Sequence, residues 1–249
     1  MSQEQLPQII ILYGPPAAGK GTQAHFLRQK LPNYYHLDFG SELRKFVADN
    51  LGDYTSADET VVDKNIKPEI LEVARRIKKD MKDSLPVQTP DLRFVIEKTI
   101  SDCVARKQGM IIEGPGRLIE EAKWLSGFLA EKSVEVCIFH LYISLDEVLE
   151  RSSTRYYLLS TKKPFRSLEE AESEAVNNEK PFRRPEDLDQ EGTKQRYRLL
   201  YSDNFARIIS IYQLQAKSLV FTIDASQEIA GVSGDILNYF ERFFGVSLS

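Results

Sequence analysis

One stretch carries most of the chemistry legible in this chain: Gly14-Pro-Pro-Ala-Ala-Gly19-Lys20-Gly21-Thr22-Gln23. It follows a continuous apolar run, Gln8-Ile-Ile-Ile-Leu-Tyr13. It opens a helical pattern from Lys20 to Leu31, with Ala24, Leu27 and Leu31 on one face. A glycine loop between a buried strand and a helix turns consecutive backbone N–H groups inward, where they meet phosphate oxygens at the positive end of the helix. Lys20 supplies a charge for the β- and γ-phosphates of a nucleoside triphosphate. The general Walker pattern wants Ser or Thr directly after the lysine, whereas Gly21 stands there and Thr22 comes next. The bland alternative is a tight turn with a surface lysine; the strand before and the helix after weigh against it.

The elements that must hold this loop read as an α/β alternation. Further strands are predicted at Tyr34–Leu37, Gly109–Glu113, Val134–Ile143 and Ser218–Ile223, and helices at about 91–106, 118–131, 145–157, 194–216 and 227–244. This implies a P-loop NTPase-type parallel five-stranded sheet with helices on both faces and right-handed crossovers. Two stretches interrupt it. One, mostly helical, spans 39–88, where Pro68 opens an amphipathic pattern through Ile70, Ala74, Ile77 and Met81. The other, 158–193, is highly charged with both signs balanced, as a solvated surface element or a lid would be. The core is then 1–38, 89–157 and 194–249.

Composition narrows the classes. The 249 residues carry Lys+Arg 33 against Asp+Glu 37, a formal net charge of −4, with 42% hydrophobic residues. Disorder is not expected, and mild acidity argues against a general nucleic-acid binder. The two cysteines, Cys103 and Cys137, read as buried thiols in a reducing, cytoplasmic setting. The three histidines and two cysteines lack paired ligand spacing, so no protein-bound zinc is expected. No membrane span is expected, and the start lacks the pattern of a secretory leader.

The loop resembles that of the adenylate kinase (nucleoside monophosphate kinase) family, G-x-P-G-x-G-K-G-T-Q, with Ala17 replacing one glycine. The likeness runs along most of the chain in order. His36-Leu-Asp-Phe-Gly-Ser-Glu-Leu-Arg44 resembles H-I-S-T-G-D-L-L-R, and Ser84-Leu-Pro-Val87 is similar to G-x-L-V. Ile112-Glu-Gly-Pro-Gly-Arg117 stands where D-G-F-P-R is expected, and Leu149-Glu-Arg-Ser-Ser-Thr-Arg155 resembles the D-R-x-x-x-R helix. Arg184-Pro-Glu-Asp-Leu-Asp-Gln190 resembles R-x-D-D-x, and Ile223-Asp-Ala-Ser-Gln227 the closing I-D-G-x-x.

The resemblance implies transfer of the γ-phosphoryl group of MgATP to a nucleoside monophosphate by a monomer, with 39–88 as the acceptor-binding insertion and 158–193 as a LID-like flap. The acceptor is itself an anionic phosphate, so positioning and charge stabilisation suffice, without a general base. Arginine suits this work through its planar, permanently charged fork. By family position, Arg44 and Arg117 hold the acceptor phosphate, Arg151 and Arg155 face the donor phosphates, and Arg184 closes in from the flap. A last arginine falls where Arg196 and Arg198 flank Tyr197; Arg196 is preferred. ATP contacts are expected from Gly14, Ala17, Ala18, Gly19, Lys20, Gly21, Thr22, Arg151 and Gln227. Acceptor contacts are expected from Phe39, Arg44, Val87, Gly114, Arg117 and Glu121. Glu113 would reach magnesium through water.

Several positions depart from the pattern. Glu113 replaces Asp, and its extra methylene moves the carboxylate by about 1.5 Å. Phe39 replaces a common Thr. Glu121 stands where a Gln usually meets the adenine edge, and an ionised carboxylate only accepts hydrogen bonds, which suits guanine N1–H and N2–H₂. AMP is the first expectation for the acceptor and GMP the rival. A catalytically degenerate nucleotide-binding relative and a P-loop kinase for another acceptor are the alternative readings.

Overall fold

The computed structural model describes residues 8–52, 62, 66–82, 87–115, 118–132, 134–158, 164–183, 185–216 and 218–245, with only the backbone of 185 and 186. Its centre is β1 (Gln8–Tyr13), buried along its whole length as a continuous apolar run requires. With β2 (Tyr35–Asp38), β3 (Met110–Glu113), β4 (Glu135–Tyr142) and β7 (Leu219–Asp224) it forms a parallel sheet of order β2-β3-β1-β4-β7. Each of these strands lies within a residue or so of its sequence-predicted position.

Alternate side chains feed two cores. On one face Ile9, Ile11, Met110, Ile112, Val136 and Ile138 pack under α2 (Phe39–Leu51), α3 (Pro68–Lys82), α4 (Thr89–Ala105), α5 (Ile119–Glu131) and α10 (Phe205–Gln215). On the other, Ile10, Leu12, Ile111, Cys137 and Phe139 pack under α1 (Lys20–Lys30), α6 (Leu145–Thr154) and α11 (Ile229–Phe244). Gln23 fastens α1 to α11: its Oε1 accepts from Ser233 Oγ at 2.7 Å and its Nε2 donates to Ile229 O at 3.2 Å. Among the described residues, no helix is long and apolar enough to cross a membrane.

Two helices are shorter than the sequence predicts. The one expected over 145–157 starts with a capping box between Ser144 and Glu147 but ends at Thr154. Beyond it Tyr156 and Tyr157 form β5 (Tyr156–Tyr157), antiparallel to β6 (Pro164–Phe165), and this pairing takes the backbone out of the helix. The excursion then runs through α7 (Leu168–Glu174) and α8 (Pro185–Leu188). The helix expected over 194–216 is divided into α9 (Gln190–Tyr197), a π turn (Arg198–Ser202) and α10. Its aromatic side chains account for the division: Tyr201 and Phe205 pack on Tyr13 and His140 of the sheet. The additional helix expected near 52–72 falls largely outside the described residues, as does Ser84-Leu-Pro; α3 itself begins at Pro68 as predicted.

His140 is buried within β4. Burial lowers its imidazole from 6.5 to about 4. The unfolded chain takes up the proton near 6.5, so neutral His140 favours the fold above that pH, and the advantage is lost as pH falls from 6.5 towards 4. Urea unfolding at several pH values across this window should show wild type losing roughly 2–3 kcal/mol more than a His140→Leu variant.

Candidate active site

The glycine loop leaves the C-terminal end of β1, where ligands of open parallel sheets bind. Gly14 is required there: a Cβ would overlap the carbonyl oxygen of Leu141 in β4. Gly19, at φ 85°, turns the chain into α1. Ala17 adopts φ 60°, the left-handed region that costs a non-glycine residue about 1 kcal/mol or more. The glycine of the family pattern at this position therefore has a local reason. Ala17→Gly should stabilise the protein by about 0.5–1 kcal/mol in urea unfolding; equal or lower stability would contradict a strained loop.

Lys20 reaches back across the loop. Its ammonium donates to the carbonyls of Gly14 at 3.0 Å and Pro15 at 2.7 Å, so the charge stands over the loop's mouth. Ala18 is buried against the second core, while Gly21 and Thr22 are half-buried in the first turn of α1.

Glu113, at the end of β3, leans over that turn. Its Oε1 lies 3.3 Å from the point where a Cβ on Gly21 would stand. Its Oε2 meets His36 Nε2 at 3.2 Å, a neighbour supplied by the β2–β3 pairing. The extra methylene relative to Asp is thus accommodated by the bare Gly21, and the carboxylate lies against the phosphate loop. Magnesium prefers oxygen ligands and keeps several waters, so one or two carboxylates beside phosphates suffice; Glu113 fits that need. Among the described residues, no group of three or more His, Cys, Asp or Glu could hold a metal ion by itself.

The arginines approach from three directions. Arg44 lies near the start of α2, with Nη2 donating to Ser41 Oγ at 3.2 Å and 3.7 Å from Asp38, the residue capping that helix. Arg151 donates to the carbonyl of Ala225 at 2.8 Å in the turn after β7. In the same turn Gln227 Nε2 donates to Asp224 O and to Asp235, both at 3.0 Å. Hydrogen bonds from Ser226, aided by the charge of Arg151, hold the Asp224 carboxyl below its ordinary range.

Arg155 is engaged elsewhere as well. Its Nε donates to Asp187 Oδ2 at 2.8 Å and its Nη2 to Asp187 Oδ1. Tyr157 OH also donates to Asp187, at 3.1 Å. Arg196 donates to Thr193 Oγ1 at 3.0 Å on the buried side of α9, whereas Arg198 is exposed and shares a surface groove with Asp189, Glu191 and Asp203. Arg117 and Arg184 lie outside the described residues.

Phe39 is buried in the first core. Val87 packs partly buried against that core. Gly114 donates its N–H to Leu12 O at 3.4 Å in the turn after β3. Glu121 is 7% exposed on the packing face of α5. Burial pushes the Tyr212 phenol well above its ordinary value, and the nearby charge of Glu121 adds to the shift. His36 and Asp187 were not singled out by the sequence reading. The β2–β3 register pairs Asp38 with Glu113 and leaves His36 two residues along the same face, within reach of the carboxylate; Asp187 falls inside the Arg184–Gln190 segment, but its pairing with Arg155 has no local signal.

A family model described as an AAA domain matches residues 13–87, which include the phosphate loop. The adenylate kinase of Mycolicibacterium smegmatis is 31% identical over 147 residues, covering 59% of this chain and 69% of that protein. The chain belongs to the adenylate kinase family. Longer, weaker likenesses extend the match: the adenylate kinase of Kosmotoga olearia is 28% identical over 246 residues, and that of Thermosipho melanesiensis 26% over 242, each covering 94% of this chain and 99% of the relative. Within the adenylate kinase family the chain is divergent, and its departures at Ala17, Glu113 and Glu121 lie on structure described above.

Proposed function

We propose that the protein transfers the γ-phosphoryl group of MgATP to a nucleoside monophosphate, giving two diphosphates. The observation that carries this reading is the convergence at one end of the sheet: Lys20 across the loop's mouth, Glu113 against Gly21, and Arg151 on the turn after β7. Lys20 and the loop amides would cradle the donor phosphates, and Arg151, Arg155 and Arg196 would stabilise the transferring group. Arg44 and Arg117 would hold the acceptor phosphate. Glu113 would hold, through bound water, the magnesium that arrives with ATP; the ion supplies charge neutralisation at the β- and γ-phosphates.

In this reading 39–88 is the acceptor-binding insertion and 158–193, with Arg184, the flap whose closure excludes water. The protein acts as a single chain in the cytoplasm, in keeping with two free buried thiols. AMP is the first acceptor by family; the carboxylate of Glu121 is the feature that favours a guanine edge.

The test is ADP formation from MgATP with AMP, GMP, CMP, UMP and dTMP offered separately, repeated with Glu121→Gln. One acceptor should be used clearly above a no-acceptor blank. If Glu121 reads the base, Glu121→Gln should move preference from GMP towards AMP by about 10-fold or more. An unmoved ratio assigns Glu121 to packing beside Tyr212. Nucleotide binding with no transfer to any of the five would favour the binding-module reading.

A further inference from the structure

We infer that His140 is a positioning residue for the phosphate-facing helix α9, acting through Tyr201 and the π turn; the inference rests on the phosphotransferase reading. His140 pairs in register with Tyr13, the residue before Gly14, so it stands beside the root of the phosphate loop. Its ring is buried, with Nε2 2.7 Å from Tyr201 OH and Nδ1 3.2 Å from Thr222 Oγ1. Both partners are hydroxyls, which donate or accept, so either neutral tautomer satisfies both nitrogens. Neither partner is charged.

The π turn is what this bond holds. Its closing hydrogen bond runs from Asp203 N–H to Arg198 O at 3.0 Å, five residues apart. Such turns are rare, because continued α-helix is the better-bonded path, and they are frequent at functional sites. The wider turn keeps Tyr201 under Tyr197, with ring centroids 5.2 Å apart. It also lets Tyr201 reach His140 while Phe205 packs on the imidazole with ring centroids 4.2 Å apart and planes tilted by 30°. A plain α-helix from 197 onward would rotate Tyr201 further round the axis and carry its hydroxyl away from His140. The setting of the turn fixes how α9 lies on α6, the helix that carries Arg151. Arg196 is on the buried side of α9, one turn from Thr193. A lock between the sheet and this turn therefore sets the distance between Arg196 and the phosphate loop, and a displacement of about 1 Å there costs on the order of a hundredfold in rate.

The experiment compares wild type, Tyr201→Phe and the double variant Tyr201→Phe/His140→Leu. Tyr201→Phe removes one oxygen and leaves a buried nitrogen without its partner; the double variant replaces both polar groups and restores an apolar fit. Three quantities are read: amide hydrogen exchange at Asp203, thermal stability, and kcat and KM with the acceptor found above. The lock predicts Asp203 exchange at least about 10-fold faster in both variants. It predicts kcat lowered about 10- to 100-fold in both, with KM for ATP within about threefold. Thermal stability should recover in the double variant while kcat does not. Recovery of kcat together with stability would reduce His140 to core packing and overturn the proposal. Unchanged Asp203 exchange would overturn it whatever the activity. A wild type that transfers phosphate to no acceptor would overturn the kinase reading and the role assigned to Arg196, and faster exchange would then show only that the bond holds the turn.

Discussion

Lys20→Ala should lower turnover about a thousandfold or more, equivalent to roughly 4 kcal/mol of transition-state stabilisation. The ammonium lies on the loop itself, donating to Gly14 O and Pro15 O. Those carbonyl contacts orient it over the loop's mouth, where charge on a transferring phosphoryl group would develop. No side chain in the loop can replace it: the neighbours are Pro15, Pro16, Ala17, Ala18 and Gly21. Losing the lysine also frees two carbonyls, so a small stability change is expected, and urea unfolding in parallel separates it from the kinetic effect. Lys20→Arg should recover little, because a guanidinium is planar and longer than an ammonium point charge. Steady-state rates with the productive acceptor make the measurement. Turnover within about tenfold of wild type would refute the assignment of the loop as the donor site.

What was legible in the sequence divides along a physical line. The central strand could be read because a fully buried parallel strand must carry an apolar run, as Ile9–Leu12 does. The loop could be read because its glycines answer to backbone geometry: Gly14 passes too close to Leu141 for any side chain. Features set by distant partners could not be read. The burial of Phe39 is one, since it depends on how α2 sits on α3 and α4. The nearness of Glu121 to Tyr212 joins positions ninety-one residues apart in the chain. The π turn begins at Arg198, so the two candidates for the last arginine lie on different elements, Arg196 on α9 and Arg198 in the turn. Tyr197, between the two, stands over Tyr201. Arg196 and Arg198 then differ in burial rather than in spacing, and spacing is all a sequence offers.

Asp187→Ala should destabilise the fold by about 2–4 kcal/mol and uncouple phosphate transfer from exclusion of water. Asp187 is 2% exposed and accepts from Arg155 Nε, Arg155 Nη2 and Tyr157 OH. Removing a carboxylate so placed takes away the acceptor that a cation and a buried hydroxyl share, which costs more than losing a surface pair does. Arg155 retains some access to solvent, at 18% of its side-chain surface; the expected loss is therefore set below that of a wholly buried pair. The same bond joins the end of α6 to α8, so it anchors the charged excursion to the core. With the anchor removed, water should reach the donor phosphates more often, and ATP hydrolysis without acceptor should rise relative to transfer by about 10-fold. Asp187→Asn keeps the shape and one acceptor oxygen, and should fall between the two in stability. Urea unfolding checks the first expectation, and the ratio of acceptor-free to acceptor-dependent ADP formation the second. Stability within about 0.5 kcal/mol of wild type would mean that Arg155 finds equivalent partners in solvent, and the pair would then not be what holds the excursion in place.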